Sequence, residues 1–222
     1  MHAARLVLFV ASLTLWYGAP PLSGGDAAPQ SPQKRLFPPE NLGTLEGPDR
    51  DEWQQPDRIM DVLGIADGAK VADLGAGGGW FTIRLAHRVG PNGLVFAEDI
   101  QRPMIESIKR RIQREGLANV RTILGTPEDP LVPVGVQAVL IVDTYPQLTS
   151  PVALLRHVAR SLATNGRLGV VDFRKDPAAG PGPALDERVD PSVIVRDAAL
   201  AGLKLRSDET FLRYQYLLVF VK

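Results

Sequence analysis

The chain is predicted to adopt an α/β fold with a doubly wound, mostly parallel seven-stranded sheet that ends in an antiparallel hairpin. Two observations support this prediction. Apolar runs typical of buried strands alternate with amphipathic helical patterns between residues 56 and 173, and such alternation produces parallel strands joined by helices. After residue 201, two strand-like segments follow each other without a helix between them, which is the pattern of a hairpin.

Turn residues and apolar spacing define the elements in order. Pro56 at a first helical position and Gly64 as a stop bound the first predicted helix, and Ser150 with Pro151 begins a later one. The predicted helices cover 56–63, 81–86, 152–162 and 191–201, and one more ends at 114. The predicted strands cover 94–97, 119–124, 137–142, 167–173, 203–212 and 214–221, after a first strand that begins at 70.

A glycine-rich turn, Asp-x-Gly-x-Gly-x-Gly from Asp73 to Gly79, separates the first strand from the helix after it. Glycine accepts positive φ and lets a ligand approach the backbone, so the amides of this turn can face a nucleotide-like ligand. A dinucleotide-binding turn needs Gly-x-Gly-x-x-Gly, but its third glycine falls on Trp80 or Thr82. A P-loop is excluded because no Gly-Lys-Ser or Gly-Lys-Thr follows.

The turn resembles the cofactor-binding turn of the class I S-adenosylmethionine-dependent methyltransferases, and the order of elements across 50–222 is similar to their Rossmann-like fold. This resemblance implies that the cofactor is S-adenosyl-L-methionine and that the activity is methyl transfer. It also implies that residues of the turn bind the cofactor. They are Asp73, Gly75, Ala76, Gly77 and Gly79.

In that family an acidic residue at the end of the second strand binds the ribose hydroxyls. Asp99 stands at this position and Ile100 follows it, with Glu98 as the alternative ribose ligand. A carboxylate suits this role because it can accept both hydroxyl protons. The loop after the third strand resembles the family's acidic loop near the adenine amino group, so Glu128 or Asp129 is expected to accept from that amine.

The end of the fourth strand lies where the family brings residues close to the reactive methyl group. Asp143 is expected either to act as a base or to hold the methionyl end of the cofactor, and Tyr145 is the other candidate catalytic base. Family members with this pattern carry Tyr-His where this chain has Tyr145-Pro146, which argues against a histidine base. Trp53 and Tyr214 are the candidate substrate-binding residues, as a cover for the cofactor and a wall of the acceptor pocket, with ordinary packing as the alternative.

The composition excludes several kinds of site. The 222 residues include 25 basic and 25 acidic side chains, so no net charge attracts the chain to nucleic acid. The absence of cysteine excludes disulfides, thiolate metal sites and cysteine nucleophiles, and the 3 histidines are far apart in the sequence. We therefore expect no metal ion and no nucleic-acid partner.

The N-terminus has the order of an export signal, with a short positive start before an apolar run from Leu6 to Tyr17. At about 1.5 Å per residue this run is too short for a comfortable membrane helix. We interpret 1–28 as a signal peptide or N-terminal anchor, 29–49 as a flexible linker and 50–222 as the methyltransferase domain. The expected location is exported, periplasmic or membrane-anchored, with transient membrane contact through this segment, and the alternative is cytoplasmic.

The resemblance and the patterns together predict methyl transfer from S-adenosylmethionine to an unidentified acceptor, expected to be a small molecule. Two alternatives belong to other classes. A non-catalytic module that keeps the cofactor fold fits the altered Tyr145-Pro146 pair. A nicotinamide-dependent oxidoreductase is disfavoured by Trp80 in place of the third glycine.

Overall fold

The computed structural model describes residues 36–175 and 180–222, and a seven-stranded sheet forms its centre. The strands are β1 (Lys70–Leu74), β2 (Leu94–Asp99), β3 (Val120–Leu124), β4 (Val136–Val142), β5 (Leu162–Phe173), β6 (Lys204–Glu209) and β7 (Gln215–Val221). The α-helices of the described residues are α1 (Arg50–Gln54), α2 (Pro56–Val62), α3 (Trp80–Val89), α4 (Arg102–Arg114), α5 (Pro151–Ser161) and α6 (Pro191–Leu200).

The strand order in the sheet is β3-β2-β1-β4-β5-β7-β6. The first five strands pair in parallel, and β7 pairs antiparallel with both β5 and β6. Apolar β7 is buried along most of its length and therefore fits inside the sheet, whereas the charged β6 forms an edge. The predicted doubly wound sheet with its antiparallel C-terminal hairpin is confirmed.

The two faces of the sheet bury separate clusters because successive side chains of a strand point to opposite faces. On one face Val71 and Val95 pack with α2, α3 and α4, and on the other Ala72 and Val139 pack with α5 and α6. From β1 the chain first builds outward to β3 and then returns to β4 on the other side of β1. The carboxyl ends of β1 and β4 therefore flank the switch point where ligands bind in open α/β sheets.

The described part of the predicted linker contains a short helix. Residues 36–49 include a short 3-10 helix, Pro39–Leu45, and lead directly into α1. We call residues 36–46 the N-terminal arm. It carries the apolar residues Leu36, Phe37 and Leu42, and contacts with distant parts of the chain give it a defined place.

Three side chains of the main body fasten the arm. The N–H of Phe37 donates to Oε1 of Gln147 at 3.1 Å, and its carbonyl accepts from Nε2 of Gln101 at 3.1 Å. Nη1 of Arg111 in α4 lies 2.5 Å from Oε1 of Glu46. Because Gln101 follows β2 and Gln147 follows β4, the arm bridges both sides of the switch point.

The predicted signal peptide or anchor at 1–28 lies outside the described residues. Within 36–175 and 180–222, no helix is long and apolar enough to cross a membrane.

Candidate functional site

A cavity of about 680 Å³ lies at the switch point of the sheet. The turn after β1, the ends of β2 and β4 and the N-terminal arm form its walls. The arm contributes the apolar side chains of Leu36, Phe37 and Leu42. The volume falls within the range of small-molecule binding sites, which is about 300–1,000 Å³.

The glycine turn has the conformation that its sequence demands. Gly75, Gly77 and Gly79 have φ values of 66°, 54° and 81°, a region that L side chains rarely adopt. At Gly75 contact also excludes a side chain, because an added Cβ would lie 2.3 Å from Cγ2 of Thr144. Helix α3 begins at Trp80 directly after the turn, so its positive end lies at the cavity wall.

Asp73 in β1 lies beneath the turn and lines the cavity. It is only 2% exposed, and its Oδ2 accepts a hydrogen bond from Oγ1 of Thr82 in α3 at 2.7 Å. Burial raises the pKa of Asp73 to about 6, and the bond from Thr82 opposes this shift. The carboxyl group thus joins β1 to α3 below the glycine turn.

Both acidic residues at the end of β2 line the cavity. Asp99 accepts from the N–H of Gly77 at 3.0 Å and from the N–H of Gln101 at 2.8 Å. Glu98 accepts from the N–H of Gly75 at 3.4 Å. Burial raises the pKa of both carboxyls, to about 8 for Glu98. The structure therefore brings both candidate ribose ligands to the same wall.

Arg50 of α1 also lines the cavity, and the sequence did not single it out. Its guanidinium carbon lies 4.2 Å from the centre of the Trp80 ring, and that of Arg84 lies 3.5 Å from the same ring. Arg84 binds the carboxylate of Asp51 through Nη2 at 2.6 Å and 2.8 Å. Trp80, which breaks the dinucleotide pattern, therefore holds α1 and its arginine against α3.

Asp143 follows β4 and has a φ of 53°, which is uncommon for a residue with a side chain. Its Oδ1 accepts from Nε2 of Gln215 at 2.5 Å and its Oδ2 from Nε2 of Gln54 at 3.3 Å. Nη2 of Arg50 lies 3.6 Å from the same Oδ2. Burial raises the pKa of Asp143 to about 6, against the opposing effects of Arg50 and the two glutamines.

Gln54 and Gln215 are fully buried, and Nε2 of Gln54 donates to Oε1 of Gln215 at 3.0 Å. They come from α1 and β7, which are 161 residues apart in the sequence, so no local pattern indicated their contact. Arg50 and Asp143 together present a cation and an anion to one end of the cavity. Such a pair can bind a ligand group that carries both charges, such as an amino acid.

The structure does not bring every predicted residue to the cavity. Tyr145 is 3% exposed, and its hydroxyl donates to Oδ2 of Asp197 in α6 at 3.0 Å. Burial raises its pKa, and the residue does not line the cavity. The Tyr145 hydroxyl thus binds a carboxylate of α6 and lies outside the cavity lining, and its role as a base stays a prediction.

The predicted adenine ligands are also placed elsewhere. Glu128 is exposed, and Oδ2 of Asp129 lies 3.1 Å from Nδ1 of His157 in α5. Neither acid lines the cavity, whereas Pro127 from the same loop does. The loop bends so that its acidic side chains face α5 and solvent.

Trp53 and Tyr214 form an aromatic cluster with Phe173, at centroid distances of 5.9 Å (Trp53 to Phe173) and 6.3 Å (Trp53 to Tyr214). Neither Trp53 nor Tyr214 lines the cavity, and the contacts of both rings with other aromatic rings fit the packing alternative. Gly79 also lies outside the lining, and a Cβ added to it would contact Ile108 of α4. The predicted residues that do line the cavity are Asp73, Gly75, Ala76, Gly77, Asp99, Ile100 and Asp143.

Comparison with known proteins bears on this site. A family profile described as a methyltransferase domain matches residues 65–200. The chain is 33% identical over 117 residues to a nocamycin O-methyltransferase of Saccharothrix syringae, covering 51% of this chain and 41% of that protein. It is 29% identical over 157 residues to the ubiquinone/menaquinone biosynthesis C-methyltransferase of Ectopseudomonas mendocina, covering 70% of this chain and 59% of that protein.

The chain thus spans about half the length of the curated relatives it matches. Among solved structures, a SAM dependent methyltransferase from Aquifex aeolicus superposes with a TM-score of 0.78 at 23% identity. This match covers 83% of the chain and 98% of that structure, so the two share one fold across the domain.

Proposed function

The chain belongs to the class I S-adenosylmethionine-dependent methyltransferases, and we propose that it transfers the methyl group of S-adenosyl-L-methionine to a small-molecule acceptor bound in the same cavity. One observation carries this proposal. The glycine turn and the carboxylate of Asp99 converge at the switch point, on the wall of a cavity of about 680 Å³.

The residues around the cavity fit this cofactor. Gly75 and Gly77 leave the backbone of the turn open to a ligand, since neither carries a Cβ. Oε1 of Glu98 is buried and has no hydrogen-bond partner in the described part of the chain, as expected where a ligand completes the site. We assign the ribose hydroxyls to Asp99 and the methionyl chain to the turn.

The amino-acid end of the cofactor is assigned to Arg50 and Asp143. Arg50 suits the α-carboxylate because its guanidinium is a permanent cation, and Asp143 suits the α-ammonium. Gln54 and Gln215 orient the Asp143 carboxylate by donating to one oxygen each. In this assignment Asp143 binds the cofactor, and it does not serve as a base.

When bound, the cofactor supplies a methyl group on a positively charged sulfur, which is an activated leaving group. The protein therefore has mainly to position the acceptor and to exclude water. The N-terminal arm provides the water-excluding wall through Leu36, Phe37 and Leu42. Well-oriented reactants gain on the order of 7 kcal/mol or more from such positioning.

The acceptor is proposed to be a small molecule whose nucleophilic atom loses its proton readily or carries none. No histidine is among the described residues that line the cavity, and both oxygens of Asp143 already accept hydrogen bonds. Two of the relatives, nocamycin O-methyltransferase and ubiquinone/menaquinone biosynthesis C-methyltransferase, are named for small molecules, whereas others are named for tRNA and for protein isoaspartate.

Calorimetric titration with S-adenosylmethionine and with NADH, followed by tritiated methyl transfer into fractionated small-molecule extract, tests the proposal. We expect the first ligand to bind, NADH not to bind, and label to enter one chemical fraction. NADH binding without S-adenosylmethionine binding would contradict the cofactor assignment. Cofactor binding with no label in any fraction would favour a non-catalytic module. The hydrogen bonds that both Asp143 oxygens already accept also fit that alternative.

We also propose that the protein is exported. The support is the sequence of residues 1–17, in which a short positive start precedes an apolar run. Mass spectrometry of the N-terminus of the protein from separated cell fractions tests this. An intact Met1 in the soluble cytoplasmic fraction would contradict it.

A further inference from the structure

Glu98 is a buried acid in the cavity wall that the assignments above leave without a role. It is 2% exposed, and it lies on the opposite face of β2 from Asp99, since neighbouring side chains of a strand alternate. Asp99 is already bonded to the amides of Gly77 and Gln101. The end of β2 therefore carries two acids with different surroundings.

The backbone around Glu98 is shaped to admit its carboxyl group. A Cβ added at Gly125, directly after β3, would lie 2.0 Å from Oε1. On the other side, the amide of Gly75 approaches Oε2 at the long distance of 3.4 Å. Oε1 itself is buried without a hydrogen-bond partner among the described residues. Because buried polar atoms are nearly always paired, this oxygen points to a ligand.

The charged groups that act on Glu98 are both acids. Asp99 adjoins it on β2, and Asp73 of the neighbouring strand β1 acts on it more weakly. Burial first, and then the charge of Asp99, raise the pKa of Glu98 to about 8, and the Gly75 amide opposes this only in part. A carboxyl group in this position carries its proton near neutral pH, so it has an O–H to donate.

We propose that Glu98 acts as a neutral carboxylic acid that donates a hydrogen bond to an acceptor atom on the nucleoside half of the cofactor, so that cofactor binding weakens in alkaline solution. This inference rests on the proposed function. The proton stays on Glu98, and no covalent bond to the ligand is made or broken.

The nucleoside half is favoured by position. Glu98 lies between Asp99, assigned to the ribose, and the loop of Gly125 and Pro127 after β3. The residues assigned to the amino-acid end lie elsewhere: Arg50 is in α1 and Asp143 follows β4. Strand β1 separates β4 from β2, which carries Glu98. Ring nitrogens and hydroxyl oxygens of a nucleoside are acceptors that an O–H can reach.

The test measures dissociation constants between pH 7 and pH 9.5 for S-adenosylmethionine and for 5′-methylthioadenosine, which has no amino-acid tail. The second ligand is needed because an α-ammonium titrates near pH 8 by itself, with a pKa of about 7.7–8.0. Wild type is compared with Glu98→Gln, which keeps a donor without titrating, and with Glu98→Ala. Glu115→Gln, an exposed acid after α4, is the matched control.

For 5′-methylthioadenosine we expect wild type and Glu115→Gln to lose about tenfold in affinity from pH 7 to pH 9, since one proton is lost with a pKa of about 8. Glu98→Gln should keep the neutral-pH affinity across the whole range. Glu98→Ala should bind weakly at every pH, with a circular dichroism spectrum and melting curve that show it is folded.

Two results would overturn the proposal: a wild-type profile that is flat for 5′-methylthioadenosine, or a Glu98→Gln variant as weak as Glu98→Ala at pH 7. Failure of the proposed function is a separate outcome, since wild type would then bind neither ligand at pH 7.

Discussion

Trp80 decides how Arg50 is presented to the cavity. At the position where a dinucleotide-binding turn carries glycine, its indole ring contacts the guanidinium groups of both Arg50 and Arg84. Only Arg50 of this pair lines the main cavity, while Arg84 pairs with Asp51 on the outside. Two arginines thus contact the same ring, but only one of them reaches the cavity. The other can therefore serve as its matched control in an experiment.

Arg50→Met should weaken S-adenosylmethionine binding by about 1.5–3 kcal/mol, the usual value of a hydrogen bond to a charged group. Binding of 5′-methylthioadenosine should be unchanged, because it lacks the carboxylate. Calorimetric titration of both ligands measures the difference, and Arg84→Met, which removes the other guanidinium, should leave both affinities near wild type. Equal weakening of the two ligands by Arg50→Met would mean that Arg50 serves only to shape the site.

Gly75→Ala tests the turn at the residue scale. The substitution adds strain of roughly 1–2 kcal/mol at positive φ, and overpacking against Thr144 adds roughly 1–3 kcal/mol. Gly116→Ala is the control, because Gly116 has the same φ of 66° but no atom within 4 Å of an added Cβ. Denaturant unfolding should show a larger loss for Gly75→Ala, and equal losses would contradict the contact with Thr144.

At the scale of elements, the N-terminal arm and α1 complete a cavity that the sheet alone leaves open. The arm is held at Phe37 by glutamines from both sides of the switch point and at Glu46 by Arg111. Arg111 also donates to the carbonyl of Gly78 in the glycine turn at 3.3 Å. The arm and the turn are therefore fastened by one guanidinium, and movement of the arm is expected to affect the bound cofactor.

Arg111→Met should release the arm and accelerate cofactor dissociation by up to about fivefold, since a partly exposed ion pair contributes up to about 1 kcal/mol. Stopped-flow measurement of cofactor release gives the rate, and limited proteolysis reports cleavage within residues 36–49. Arg110→Met, on the exposed face of the same helix, is the control. An unchanged release rate together with an unchanged cleavage pattern would show that the arm is held by other contacts.

At the scale of the whole molecule, the fold places three acids, Asp73, Glu98 and Asp99, around one glycine turn. Burial raises the pKa of each, to about 6 for Asp73 and about 8 for Glu98. The folded state therefore holds protons that the unfolded chain releases at lower pH. Stability is then greatest in mildly acidic solution and decreases as pH rises through these pKa values.

We expect the free energy of unfolding of the ligand-free protein to fall by about 2 kcal/mol between pH 6 and pH 8 from Glu98 alone, with the steeper part of the loss below pH 7. Urea unfolding at pH 6, 7 and 8 measures this slope. Glu98→Gln, which does not titrate, should flatten it. A stability that rises with pH over this interval would contradict the protonated state of Glu98.

Local patterns were sufficient for most of the fold and for part of the site. The alternation of strands and helices predicted the sheet, because the spacing of apolar residues within each segment shows whether it is a helix or a strand and which face is buried. The glycine turn was recognised from a short run of neighbouring residues, and the resemblance to the family pointed to Asp99; Gly75, Gly77 and Asp99 line the cavity. Positions outside such motifs depend on how a loop bends: after β3, Glu128 faces solvent and Asp129 faces α5.

What the sequence by itself determined is the doubly wound sheet, the glycine turn and the family with its cofactor. Only the tertiary structure decided that Arg50, Gln54 and Gln215 gather around Asp143, that Tyr145 faces Asp197, and that the N-terminal arm closes the cavity. The reason is that these contacts join residues far apart in the sequence. Phe37 and Gln147 are 110 residues apart and Gln54 and Gln215 are 161 apart, so their pairing depends on the assembled sheet.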